Sequence, residues 1–156
     1  MPRKHLVSLA GLALAALLAS PRPALAIGVC SFASTVGVNF GAYDEFNPTP
    51  TDSTGSLTYT CISVLATITI DLSRGDGPTY FPRQMHTGPH TLSYNLYLDA
   101  ARVAVWGDGT GGSSHYGPVV PPLVSPVTVT VYGRIPAGQN VSVGAYTDTI
   151  TATINF

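Results

Sequence analysis

His86 and His90, in "HTGPH", have the i, i+4 spacing that lets two imidazoles on one helical turn share a metal ion. Gly88 and Pro89 lie between them, so the stretch reads as a loop, and no cysteine or acidic cluster stands beside it. "GDGTGG", Gly107 to Gly112, matches the G-x-G-x-x-G of phosphate-cradling loops. That motif works only where a strand leads into a helix whose N-terminus meets the phosphate. Here Pro118, Pro121 and Pro122 follow and no helical period does, so a glycine-rich loop is the better reading. Ser114-His115 could open a catalytic dyad, but side chains of adjacent residues diverge and no nucleophile-elbow pattern surrounds them. Asp44-Glu45 reads as a solvated turn rather than a general acid and base, and Asn140 in "NVS" is a formal glycosylation acceptor. No catalytic, cofactor-binding or metal site is expected, and the chain does not read as an enzyme. Cys30 and Cys61 are the two cysteines, and in an exported chain an even count reads as one disulfide. Closing a loop of about 31 residues would stabilise the fold by roughly 3–4 kcal/mol in the chain-entropy model.

The elements that must position these residues are strands. Period-two alternation recurs along the chain and helical patterns are nearly absent. Val36, Val38 and Phe40 share one face of "STVGVNFG", and Leu57, Tyr59 and Cys61 one face of "GSLTYTC". "ATITIDL", "TLSYNLYLD" and "VTVTVY" alternate in the same way through Ala66–Leu72, Leu92–Leu98 and Val127–Val131. At the C-terminus, Ile150, Ala152, Ile154 and Phe156 oppose Thr149, Thr151, Thr153 and Asn155. Turn-rich connections such as "NPTPTDSTG", "SRGDGP" and "IPAGQN" separate them. One apolar face per strand predicts an all-β sandwich of a single domain. Cys30 before the first strand and Cys61 at the end of the second place the bridge at one end of that sandwich.

The N-terminus carries a basic start, Pro2-Arg3-Lys4-His5, an apolar run from Leu6 to Ala19, and Ala24-Leu25-Ala26 as an A-x-A cleavage site. These are the three parts of a secretory signal peptide, 1–26, with the mature domain at 27–156. Lipidation at Cys30 is the competing reading, although Ile27-Gly28-Val29 makes a poor lipobox. The mature chain holds no lysine. Arg74, Arg83, Arg102 and Arg134 face eight acidic residues, for a formal charge of −4, so nucleic acid is not an expected partner and neither is a stable membrane insertion. "HYGPVVPPLVSP" adds a proline-rich apolar stretch with Val119, Val120, Leu123 and Val124. It reads either as a loop folded back on the core or as a stiff tip offered to a surface, with Tyr80 and Phe81 of "TYFPR" as a second candidate tip.

Several motifs in order, the opening cysteine with "VNFGAYD", "GSLTYTC", "RQMHTGPHTLSYNLYLDA", "VWGDGTGG" and "YGRIPAGQ…GAYTDTITATINF", resemble the spore coat protein U domain of archaic chaperone–usher pilins. The likeness runs through nearly the whole of 27–156. It departs after "YD", where Glu45 stands at a place the family often gives to proline.

The resemblance implies an immunoglobulin-like β-sandwich, incomplete because it lacks its final strand, with the strand Thr147 to Phe156 bordering the gap. Ile150, Ala152, Ile154 and Phe156 would line the groove for a donor strand or chaperone. A periplasmic chaperone, an outer-membrane usher and other pilin subunits would be the partners. The chain would pass through the inner membrane and periplasm to the cell surface and serve attachment and biofilm formation; the alternative is a secreted spore or cyst coat structural protein. The physics would be β-augmentation, with ladder hydrogen bonds plus alternate apolar side chains. Four or five such side chains contribute roughly 6–15 kcal/mol gross, an upper estimate. Only Ile27-Gly28-Val29 would separate the cut from Cys30, about 10 Å of extended chain. A subunit so cut is expected to accept a strand without donating one, at a fibre tip or in a coat.

Overall fold

The computed structural model describes residues 28–62 and 66–156; the expected signal peptide, 1–26, lies outside them. Among the described residues eight strands follow in order: β1 (Val29–Val36), β2 (Thr51–Ile62), β3 (Ile68–Leu72), β4 (Arg83–Thr87), β5 (His90–Tyr97), β6 (Tyr116–Val119), β7 (Val127–Ile135) and β8 (Ala152–Asn155). They form an antiparallel five-stranded sheet, β1-β2-β7-β5-β4, and a three-stranded sheet, β6-β3-β8. The all-β sandwich expected from alternation is what the chain adopts. No helix among the described residues is long and apolar enough to cross a membrane.

Alternation decides which side chains meet between the sheets. Leu57, Tyr59 and Cys61 of β2, Ile68, Ile70 and Leu72 of β3, and Leu92, Tyr94 and Leu96 of β5 form one buried cluster with Val131 and Ile135 of β7. Cys30 and Cys61 face each other in the β1–β2 ladder and are disulfide-bonded, tying down the outer strand of the large sheet. Cys30 therefore lies inside the first strand rather than ahead of it.

Two elements differ from expectation. The ladder of β1 ends at Val36, yet Val38 and Phe40 still turn onto the core. Gly133 of β7 makes this possible: a Cβ there would lie 2.6 Å from Val38 Cγ1 and 2.7 Å from Phe40 Cζ. The crossing segment needs that close approach, and only glycine provides it. Residues 116–119, expected in a loop, form β6, with Tyr116 opposite Ile70 and Val119 opposite Ile68. The Gly117-Pro118 pair disguised this strand. Proline is tolerated because β6 is an edge, where a missing N–H interrupts no inner ladder.

Candidate functional site

The C-terminal segment joins the two sheets. Thr147 exchanges both backbone hydrogen bonds with His86 of β4, and Ser73 N–H donates to the carbonyl of Thr151 at 2.9 Å. From Leu72↔Ala152 to Thr69↔Asn155 the segment then pairs with β3. The Ser73–Thr151 bond sets the phase of this antiparallel ladder, in which a residue's N–H and C=O point to the same side. Thr151, Thr153 and Asn155 turn their backbone groups toward β3. Ile150, Ala152 and Ile154 turn theirs the other way, to the side of the last strand that has no partner among the described residues, while their side chains pack on the core.

A groove of about 880 Å³ reaches this edge at Ile150, ahead of Ala152–Asn155, which do not line it. One wall is the crossing segment Thr35–Phe46 and the other is Val141–Asp148 with Ile150. Its floor is the core itself: Leu57, Leu72, Met85, Leu92, Tyr94, Leu96, Val131 and Ile135, drawn from both sheets. A cleft that lies over the inter-sheet core and meets, at Ile150, an edge unpaired among the described residues suits one kind of occupant. It can receive an extended chain, satisfying the edge by ladder hydrogen bonds and the floor by alternate apolar side chains.

A polar network fixes the edge in place. Asp148 Oδ2 accepts from Tyr94 O–H at 2.6 Å, and Oδ1 accepts from the backbone N–H of Asp76 and of Thr149, each at 2.8 Å. Burial and the bond to Asp148 push the Tyr94 hydroxyl well above the ordinary phenol range, so it stays a donor. Behind Tyr94 lies Arg83, fully buried. Its guanidinium donates to the carbonyls of Ser73 and Trp106 and to Asn95 Oδ1, at 2.6–3.1 Å, and stacks on the Tyr80 ring. Asn95 in turn donates to the Tyr80 carbonyl, and Trp106 Nε1 to that of Ile70. Neither Arg83 nor Trp106 was singled out from sequence. A lone arginine between proline and glutamine, and a tryptophan before a glycine run, give no periodic signal.

Of the groove residues expected from sequence, Ile150 lines the cleft, Ala152 and Ile154 follow along the free edge, and Phe156 is exposed past the strand's end. In the proline-rich stretch Val119 packs inward on the core, whereas Val120, Leu123 and Val124 are exposed. Leu123 bridges to Cys61, and Val124 N–H donates to the Cys61 carbonyl at 2.9 Å, which sets this loop on the disulfide end. Tyr80 is buried and donates to the Leu72 carbonyl, leaving Phe81 exposed. His86 and His90 sit on opposite strands of the β4–β5 hairpin, where His90 Nδ1 lies 3.3 Å from Ser142 Oγ. His115 lies 3.6 Å from Asp71 Oδ1, and Asp44 Oδ1 accepts from the Phe46 N–H in a turn. In "GDGTGG", Asp108 Oδ1 accepts from the Thr110 N–H and hydroxyl, closing the loop on itself.

Comparison with known proteins agrees with this fold. The family model for the Spore Coat Protein U domain matches residues 13–153. "Protein U" of Myxococcus xanthus is 39% identical over 149 residues, covering 83% of this chain and 78% of that protein. Among solved structures, the complex of the chaperone CsuC with the tip adhesion subunit CsuE, from archaic chaperone-usher Csu pili of Acinetobacter baumannii, is similar in fold. The TM-score is 0.57 at 22% identity, over 83% of this chain and 40% of that one, so the chain spans two fifths of its length.

Proposed function

The chain belongs to the Spore Coat Protein U domain family, and on that premise we propose that it is an exported structural subunit of a chaperone–usher surface pilus. In this reading the free edge of β8 and the groove beside it accept a strand from another protein. A periplasmic chaperone serves first and a neighbouring subunit later, with an usher at the outer membrane. The observation that carries it is a cleft floored by core side chains of both sheets that meets, at Ile150, an edge unpaired among the described residues. Such an edge left open in solution invites aggregation, so a partner that covers it is part of the design. The role is structural and not catalytic.

Expression in the periplasm with and without a candidate chaperone tests this. Co-purification as a one-to-one complex is the expected result, and a soluble monomer that never binds the chaperone would overturn it. The mass of the same material gives the mature N-terminus. A cut after Ala26 leaves only Ile27 and Gly28 ahead of β1, which favours a fibre tip; a start ten or more residues before Cys30 removes that position.

Adhesion is assigned to the proline-rich loop. Val124 has φ 55° and is 70% exposed, although a β-branched residue in the left-handed region is strained. Strain of this kind costs on the order of 1–3 kcal/mol, and it is found where function needs an awkward presentation. Changing Val120, Leu123 and Val124 to serine is expected to cut attachment to hydrophobic plastic severalfold while secretion stays at the wild-type level. Unchanged attachment would remove the loop from the contact. A second reading, a secreted spore or cyst coat protein, is favoured by the description of the family, Spore Coat Protein U domain. A chromosomal neighbourhood with a chaperone and usher supports the pilus, and one without them supports the coat.

A further inference from the structure

Resting on the strand-acceptance reading above, we infer that the groove selects a strand from another fibre subunit that carries an arginine or lysine where it meets Asp44–Phe46. The wall residues Asp44, Glu45 and Asp148 are acidic, and among the described residues no lysine, arginine or histidine lines the groove. Asp148 is spent on Tyr94 and two backbone amides. Asp44 and Glu45 are not: neither has a cationic side chain within ion-pair distance among the described residues, and Asp44 gives one carboxylate oxygen to the Phe46 amide. Glu45 is half-buried against the groove. Next to it the ring of Phe46, 86% exposed, stands at the same rim. An acid pair beside an uncovered aromatic face suits a cationic side chain, which gains from the carboxylates and can lie over the ring. The formal charge of −4 over residues 27–156 acts in the same direction at long range, steering cationic partners in and acidic ones away. Glu45, which breaks the family pattern in a turn, thereby becomes a specificity residue of the groove.

Three synthetic peptides test this against the full-length mature protein. All alternate apolar and polar residues over the length of a strand; they carry arginine, glutamine or glutamate at the position abutting Asp44–Phe46. Binding is read by fluorescence anisotropy at low salt and in about 1 M salt, where the Debye length is near 3 Å. The arginine peptide is expected to bind about five- to tenfold more tightly than the glutamate peptide, with glutamine between. That gap should close in high salt and in the Asp44→Asn, Glu45→Gln protein, whose amides keep the turn. Equal binding of all three peptides overturns the charge selection and leaves strand acceptance standing. Failure of every peptide to bind overturns strand acceptance itself, and the selection with it.

Discussion

Replacing Arg83 with methionine is expected to destabilise the protein by about 3–5 kcal/mol, the range for removing one partner from a buried charged network. Arg83 is fully buried, so its guanidinium has exchanged water entirely for protein acceptors. Burial pulls its pKa down, and the potential of Tyr94, Tyr80, Asp148 and Asp108 opposes that. It remains charged, since arginine is not deprotonated in proteins. Methionine fills similar volume but leaves the Ser73 and Trp106 carbonyls without their donor and Asn95 Oδ1 with only the Leu96 amide. Each unsatisfied buried acceptor costs roughly 1–3 kcal/mol. Lysine should rescue little, because one ammonium cannot reach acceptors spread across a planar fork. Arg74→Met is the control: Arg74 is exposed and bonds one carbonyl, that of Pro78, so its loss should stay within about 0.5 kcal/mol. Urea denaturation of the three variants measures this. An Arg83→Met protein as stable as the control would show that the network adds nothing to the fold.

The position of Arg83 also explains why its neighbours matter to the groove. It connects β4, the end of the large sheet, with Ser73 just past β3 and with the Trp106 segment. Tyr94 and Asp148 continue the chain of contacts to the strand edge. Loosening this centre should therefore blunt strand binding as well as stability, even though Arg83 does not touch the groove.

What the sequence made legible follows from what is periodic. Leu57, Tyr59 and Cys61, or Leu92, Tyr94 and Leu96, announce a buried face because strand geometry forces alternate residues to one side. Cys30 and Cys61 were readable as a pair because the compartment and the even count leave few alternatives. Arg83 and Trp106 were not readable: their burial depends on acceptors 10 to 36 residues away in sequence, which no local window contains. β6 was hidden by Gly117 and Pro118, residues that signal a turn everywhere except at a sheet edge. The groove was only half visible. Ile150, Ala152 and Ile154 give the alternation of a terminal strand, but in the opposite wall "STVGVNFG" reads as one strand, whereas the ladder ends at Val36 and Val38 and Phe40 cross the core over Gly133. Glu45 looked like one acid of a turn, and only the cleft behind it shows where that acid stands.

Adding a strand-length alternating peptide at a hundredfold excess over its Kd is expected to stabilise the protein by about 2.7 kcal/mol, a Tm rise on the order of 10 °C. The gain arises because the peptide binds the folded sandwich and has no site on the unfolded chain. It should vanish if proline replaces a peptide residue whose N–H enters the ladder, since that removes a donor and wedges a ring against the edge. The protein side offers a sharper comparison, resting on the phase of the β3–β8 ladder. Ala152 directs its N–H to the free side, whereas Thr153 directs its N–H to β3. Ala152→Pro should therefore abolish the peptide-induced shift and leave the free protein's Tm within a few degrees of wild type. Thr153→Pro should lower the free protein's Tm outright by breaking an existing ladder bond. If Ala152→Pro unfolds the chain, the proline peptide against the wild-type protein carries the same comparison. A Tm shift that persists with both would mean that the peptide binds somewhere other than the free edge of β8, and the cleft would lose its assignment as a strand acceptor.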